Sequence, residues 1–247
     1  MDLITVIIPY FKKKNYIKEA VLSAINQSYQ NLEIIIVYDD ENQNDLEYIK
    51  KIQNYDKRIE LIINTKTLGA GMSRNKAIEK AKGNYISFLD ADDIWKKNKV
   101  ETQIEFMKKN NFKNSHTSYE IIDHKNKIIG TRKAKDFNKV EDLLKSCDIG
   151  LSTVLLQKKI FINNCNFPNL KTKEDFVLWL KILKKEIKIG SINQNLTSWR
   201  KLNNSLSSSL FQKLLDGFYV YNKFMQFNFI KSIYYLLCLS INFLKKN

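Results

Sequence analysis

Four short runs of apolar, β-rich residues organise the first third of the chain: LITVII (3 to 8), EIIIVY (33 to 38), IELII (59 to 63) and NYISFL (84 to 89). Unbroken runs of this kind suit strands covered on both faces. Between them, small and apolar positions recur at helical spacing. Ile17, Ala20, Ala24 and Ser28 follow a possible cap at Asn15, a second helix covers 45 to 54, and a third covers 72 to 82 with Gly83 as its stop. Strand and helix alternating in this way predict an α/β fold with a parallel sheet. Ligands of such sheets bind beyond the carboxyl ends of the strands, so the residues just after each run carry the chemical interest.

Further along, the spacing predicts a helix over 96 to 110 and a hairpin over 114 to 133 that turns at His124 to Asn126. A short helix at 139 to 146, a strand near 152 to 156, a helix at 175 to 185 and a strand over 187 to 200 follow. Beyond 204 the pattern becomes helical and aromatic. From Phe224 to Leu244 the only charge is Lys231, and Lys245 and Lys246 come next. That length could span a bilayer, but Gln226, Asn228, Lys231, Ser232, Ser240 and Asn242 dilute it. The expectation is a helix lying in the membrane interface, ahead of one packed on the protein or one that spans.

Composition narrows the class. The 247 residues are 44% apolar and 12% aromatic, enough for one large core with a modest appendage and too apolar for disorder. Only 7 Gly and 2 Pro exclude collagen-like and Pro-rich chains. The net charge of +15 is unevenly placed: residues 1 to 100 carry +2 and residues 101 to 247 carry +13. No stacking platform or recognition motif accompanies that charge, so nucleic acid is not an expected partner. Cys147, Cys165 and Cys238 form no CxxC pair, which fits a reducing cytosol, and Met1 and Asp2 lead straight into the first strand without a signal stretch.

Carboxylates gather at the strand ends. Asp39 and Asp40 close the second run; Asp90, Asp92 and Asp93 close the fourth. Acids crowded at the top of one sheet repel unless a cation neutralises them, and DAD suits a Mg²⁺ or Mn²⁺ whose shell is completed by phosphate oxygens. The competing explanation is capping of a helix around Ile94 to Lys97. In LGAGMSRNKA, Gly69 and Gly71 allow a tight turn and Arg74 falls in the first helical turns, an arrangement able to hold a diphosphate. It is neither GxGxxG nor GxxxxGK[ST], which disfavours nicotinamide binding and P-loop hydrolysis. In TKEDFVLWLKIL, Glu174 and Asp175 open an amphipathic helix, where acids are also favoured for purely structural reasons.

Taken in order, VIIPYF, AVLSAINQSYQNLEIIIVYDD, GAGMSRNKAIEKAKGNYISFLDADDIW, KEDFVLWLKI and SWRKLNNSLS resemble the family 2 inverting glycosyltransferases with the GT-A fold, over roughly residues 3 to 207. The resemblance implies a nucleotide-sugar-binding half (1–100) and an acceptor half (101–207); the residue pattern beyond them predicts a helical, membrane-associated tail (208–247). It places Pro9 and Phe11 at the nucleotide base and Asp39 where a carboxylate hydrogen-bonds uracil. Arg74 falls near the pyrophosphate, Asp90 on the ribose side with Ala91 beside it, Asp92 at the metal, and Asp175 at the catalytic base. The implied cofactor is Mn²⁺ or Mg²⁺. The implied partners are a nucleotide sugar, expected to be a UDP-sugar, and a surface-polysaccharide or lipid-linked saccharide acceptor; the basic second half and aromatic tail add the expectation of an anionic membrane at whose inner face the protein sits.

The chain departs from the family pattern at three places. Phe11 and Lys12 stand where Tyr and Asn are usual, Glu41 replaces a turn glycine, and Leu202 stands where many members carry His. Arg200, Lys201 and the serines up to 209 are candidates to close over the diphosphate. His116 is expected in a surface or packing role and His124 in the hairpin turn, while Trp95 and Trp179 are candidates for the acceptor cleft whose expected place is the core. Two other classes remain open on the residues: a nucleotidyltransferase, which lacks its Gly-rich loop here, and a non-catalytic nucleotide-sugar-binding subunit.

Overall fold

The computed structural model describes residues 1–162, 164–202 and 210–244. Its first half is the expected alternation. Strands β1 (Ile4–Tyr10), β2 (Leu32–Tyr38), β3 (Ile59–Ile63) and β4 (Tyr85–Phe88) are separated by helices α1 (Lys14–Ile25), α2 (Gln43–Gln53) and α3 (Ala70–Lys80). These four strands are mutually parallel, in the order β3-β2-β1-β4, and β1 runs beside β2 from Ile4↔Leu32 to Tyr10↔Tyr38. All seven residues of β2 are buried. Their alternation feeds two cores: Ile34 and Ile36 pack with α1 and α2 on one face, Ile35 and Val37 with α3 on the other.

Beyond β4 the sheet becomes mixed. Strand β5 (Ile94–Trp95), helix α4 (Lys99–Asn110), the hairpin β6 (Asn114–Ile122) and β7 (Ile128–Arg132), helix α5 (Glu141–Leu144) and strand β8 (Leu155–Gln157) follow. Helix α6 (Glu174–Lys184) and strand β9 (Gly190–Arg200) come next. Strand β8 pairs antiparallel to β4 and β6, whereas β6 and β9 are parallel. The described residues thus form one nine-stranded sheet within an α/β fold. Helices α7 (Leu210–Tyr219) and α8 (Phe229–Leu244) close the chain. The boundary expected between 207 and 208 lies outside the described residues.

Three local expectations are corrected. Asn15 lies inside α1, whose cap position is Lys13 and carries no side-chain cap. Ile94 to Lys97 is not a helix: Ile94 and Trp95 pair with β9, and the Trp95 indole donates to Ser152 O at 2.7 Å, so long-range pairing overrides the local acidic signal. The acids before it therefore cap nothing. Gly83 does not end α3, which stops at Lys80. It sits against the start of β1, where a Cβ would come within 2.7 Å of Thr5 N and 2.9 Å of Leu3 O. Because both atoms are backbone, Gly83→Ala should destabilise the fold by about 1–3 kcal/mol, read as a lower urea midpoint at unchanged slope. An unshifted midpoint would contradict this close approach.

Of the alternatives for the tail, spanning finds no support: no helix of the described residues is long and apolar enough to cross a membrane. Helix α8 packs inward through Tyr235, Leu236 and Leu239.

Candidate active site

The carboxyl ends of β1, β2 and β4 and the amino ends of α3 and α6 surround a cleft of about 440 Å³. All eight residues singled out from the sequence line it: Pro9, Phe11, Asp39, Arg74, Asp90, Ala91, Asp92 and Asp175. They come from five separate stretches of chain, and the parallel topology gathers them because every parallel strand ends on the same edge.

Asp39 shapes the cleft as well as lining it. Its carboxylate accepts Leu68 N and Gly69 N at 2.8 Å each and Asn64 Nδ2 at 2.7 Å. That fixes the loop in which Gly69 takes φ 89°, a left-handed conformation that glycine adopts without strain. The loop delivers Arg74 from α3. Its guanidinium is 4% exposed and bridges Asp90 at 2.6 Å and Glu174 at 2.9 Å, joining the DAD turn to the start of α6. In this arrangement Arg74 stands between carboxylates through Nη1 and Nη2, and its buried Nε has no hydrogen-bond partner among the described residues.

The acidic turn divides its work. Asp92 faces the cleft and holds the Lys13 ammonium at 2.6 Å. Burial raises the Asp92 carboxyl, and Lys13 opposes that rise. Asp93 points inward instead, accepting Ser152 Oγ at 2.6 Å and Arg200 N at 2.9 Å, and burial raises its carboxyl strongly. Asp40 also lies away from the cleft, accepting the Lys12 and Glu41 amides in the turn after β2. The donor set fits a divalent ion of the Mg²⁺ type. Asp90 and Asp92 offer hard oxygens, Lys13 shows that a cation is accommodated at Asp92, and no group of three or more ligating side chains exists among the described residues. Such an ion would take the rest of its shell from phosphate and water.

Asp175 opens α6 after Lys173, whose φ of 67° turns the chain sharply into the helix. One carboxylate oxygen accepts Phe176 N at 2.7 Å. Burial raises its pKa above the ordinary carboxylate range, and the Lys173 charge opposes the rise. A raised pKa makes the ionised form a stronger base. Glu174, beside it, is pushed by burial from 4.5 to about 7, with Arg74 opposing and Asp175 reinforcing the shift. Because the folded carboxyl holds its proton more tightly than the unfolded one, ionised Glu174 costs stability above that range and nothing below it. The stability of Glu174→Gln relative to the parent should therefore increase as pH rises from 4.5 through about 7, measured by urea unfolding. A difference that stays flat across the window would contradict the buried setting.

Arg200 lines the cleft, but its side chain is 1% exposed and donates to Asp92 O, Asp123 O, Asn126 Oδ1 and Glu19, so it braces the DAD turn. Lys201 is exposed, Leu202 lines the cleft, and the serines beyond lie outside the described residues. His116 is buried with Nε2 2.9 Å from Lys135 O, and burial lowers its pKa; His124 is an exposed turn residue. Trp95 and Trp179 are core residues.

Several cleft residues escaped the sequence reading. Lys13 lies in the turn between the first strand and α1, a position that could have flagged it. Trp199 and Tyr119, on β9 and β6, and Lys171, Lys173 and Lys213, on the side of Asp175, carry no local signal and are assembled only by the fold.

The family model described as glycosyl transferase family 2 matches residues 5–163. A relative from Bacillus subtilis (strain 168), the putative teichuronic acid biosynthesis glycosyltransferase TuaG, is 32% identical over 248 residues, 99% of this chain and 97% of its own. The Escherichia coli UDP-Glc:alpha-D-GlcNAc-diphosphoundecaprenol beta-1,3-glucosyltransferase WfgD is 36% identical, covering 99% of this chain and 95% of its own. Among solved structures, S. aureus TarS 1-349 in complex with UDP-GlcNAc superposes with a TM-score of 0.72 at 18% identity, covering 95% of this chain and 70% of that one. Mannosyltransferase PcManGT from Pyrobaculum calidifontis, in complex with GDP-Man and Mn2+, gives 0.70 at 12% identity, covering 92% and 65%. At these identities the structural likenesses speak for the fold.

Proposed function

The chain belongs to glycosyl transferase family 2, and from that premise we propose that this glycosyltransferase moves a sugar from a UDP-sugar onto a lipid-linked saccharide of an envelope polysaccharide, with inversion at the anomeric carbon. Family membership sets aside the nucleotidyltransferase and binding-subunit alternatives. The supporting observation is that Asp39, Asp92 and Asp175, distant in sequence, line one cleft.

Pro9, Phe11 and Asp39 hold the nucleoside end of the donor; a carboxylate at Asp39 accepts from the imide N–H of a uracil. Asp90 and Asp92 would hold a divalent ion, which when bound would supply positive charge against the departing diphosphate. Lys13 and Arg74 add fixed positive charge on the same side of the cleft. Asp175 removes the proton of the acceptor hydroxyl as that oxygen attacks the anomeric carbon opposite the diphosphate. The carbon–oxygen bond to the diphosphate breaks as the new glycosidic bond forms, so a single base suffices and no enzyme nucleophile is needed. The acceptor's lipid places the protein peripherally at a membrane surface.

Thermal shift with nucleotide sugars and Mn²⁺ tests the donor. At a hundredfold excess over its Kd, a UDP-sugar should add about 2.7 kcal/mol of stability, a rise of several degrees. Stabilisation by another nucleotide sugar and by no UDP-sugar would overturn the choice of donor.

A further inference from the structure

Helices α7 and α8 are packed on their inner sides and bare on their outer sides. On α7, Phe211, Leu214, Leu215 and Tyr219 are exposed at spacings of one helical face; on α8, Ile230, Tyr234, Leu237 and Ile241 repeat the pattern, with Ile230 80% exposed. Nine of the sixteen large apolar side chains that the described residues expose belong to these two helices. The pair is seated by buried contacts. Leu239 of α8 and, in the segment joining the helices, Val220 and Tyr221 enter the core, and the Tyr221 hydroxyl donates to Leu144 O at 2.6 Å. The helices also meet each other: Phe218 and Phe229 stack edge to face at 5.6 Å, and Gly217 leaves room for Leu236. The outer stripes are therefore an apolar surface of the folded protein, of the kind that marks a contact site.

Charge identifies what covers it. Between 210 and 244 the one carboxylate is Asp216, and it is buried, accepting Thr172 N at 2.9 Å and Thr172 Oγ1 at 2.8 Å. Lysines frame the pair: Lys223 and Lys231 are exposed on it, Lys231 lies 4.1 Å from the Phe227 ring, and Lys145 reaches the Tyr234 ring. A second copy docking through a two-fold axis would set this basic frame against itself. Anionic headgroups complement it, with aromatic residues at the boundary and aliphatic ones beneath.

The same helix borders the cleft. Asp216 grips Thr172, which lies between Lys171 and Lys173, and Lys213, on the turn of α7 before Asp216, lines the cleft with them beside Asp175. Where a single sugar is joined to a lipid through phosphate, the phosphate lies one ring away from the reacting hydroxyl and the lipid chain follows at once. Such an acceptor can reach Asp175 only if the bilayer lies at this edge.

We propose that the outer faces of α7 and α8 rest on an anionic bilayer and that Lys171, Lys173 and Lys213, at the adjoining rim, receive the phosphate of the lipid-linked acceptor. The phosphate half rests on the function proposed above; the bilayer half does not. Flotation with phosphatidylglycerol vesicles, against pure phosphatidylcholine, tests the surface. The parent should float with the anionic vesicles, and Leu215→Glu combined with Leu237→Glu should bind at least about tenfold more weakly while keeping its donor-induced thermal shift. Equal flotation of the two proteins overturns the surface, as does a lipid-free dimer in light scattering that the same double variant dissolves. For the rim, Lys213→Glu should raise KM for a sugar-diphosphate-lipid about tenfold with a much smaller change in kcat, and Lys213→Arg should restore the parental KM. An unchanged KM overturns the phosphate contact. Loss of the donor shift in the parent protein would instead strike the proposed function and leave the vesicle result standing.

Discussion

Asp175→Asn lowers transfer by about 10²- to 10⁴-fold and leaves donor binding intact, the expected cost of removing a general base. The substitution keeps the size of the side chain and the oxygen that accepts Phe176 N, so the start of α6 is preserved. Only the ability to take a proton is lost. Steady-state transfer kinetics beside donor titration measure the two quantities separately. A variant that transfers at the parental rate would remove Asp175 from the chemistry, and one that no longer binds donor would make its role structural.

Asp92→Asn acts on the other side of the reaction. Asp92, in the DAD turn, holds the Lys13 ammonium in the cleft at 2.6 Å. Its amide counterpart is a poor ligand for a hard divalent ion, so donor stabilisation in the variant should become independent of Mn²⁺. Stabilisation of the leaving diphosphate by charge is lost with it, and kcat/KM should fall by at least about 10²-fold. Chelation should depress the parent and leave the variant where it was. If the variant kept the full Mn²⁺ response, the metal would sit elsewhere.

The two substitutions separate what the sequence shows from what the fold adds. The parallel strands are legible because a strand buried on both faces must be apolar throughout, as β2 is, and because turns at strand ends need polar residues. That argument locates Asp39, Asp90 and Asp92 at one sheet edge without coordinates. It fails where a residue's role is set by partners far along the chain. Ile94 and Trp95 look like the start of a helix, yet β9, a hundred residues on, recruits them as a strand. Arg200 looks like a cation ready for a diphosphate, yet Glu19, Asp123, Asn126 and the Asp92 carbonyl consume it. Gly83 reads as a helix stop because local sequence carries no record of the β1 backbone packed against it.

The acceptor side is the least legible part for the same reason. Lys171 and Lys173 precede α6, Lys213 belongs to α7, and the Thr172–Asp216 contact helps draw them together. In the sequence they are three of many lysines in a half carrying +13.

The stereochemistry of the product tests the central claim most directly. Purified protein, Mn²⁺, an α-linked UDP-sugar and a sugar-diphosphate-lipid should yield one UDP per glycosidic bond, and proton coupling at the new anomeric centre should report the β configuration. A product that keeps the α configuration would require a different route through the cleft and would contradict a single displacement driven by Asp175.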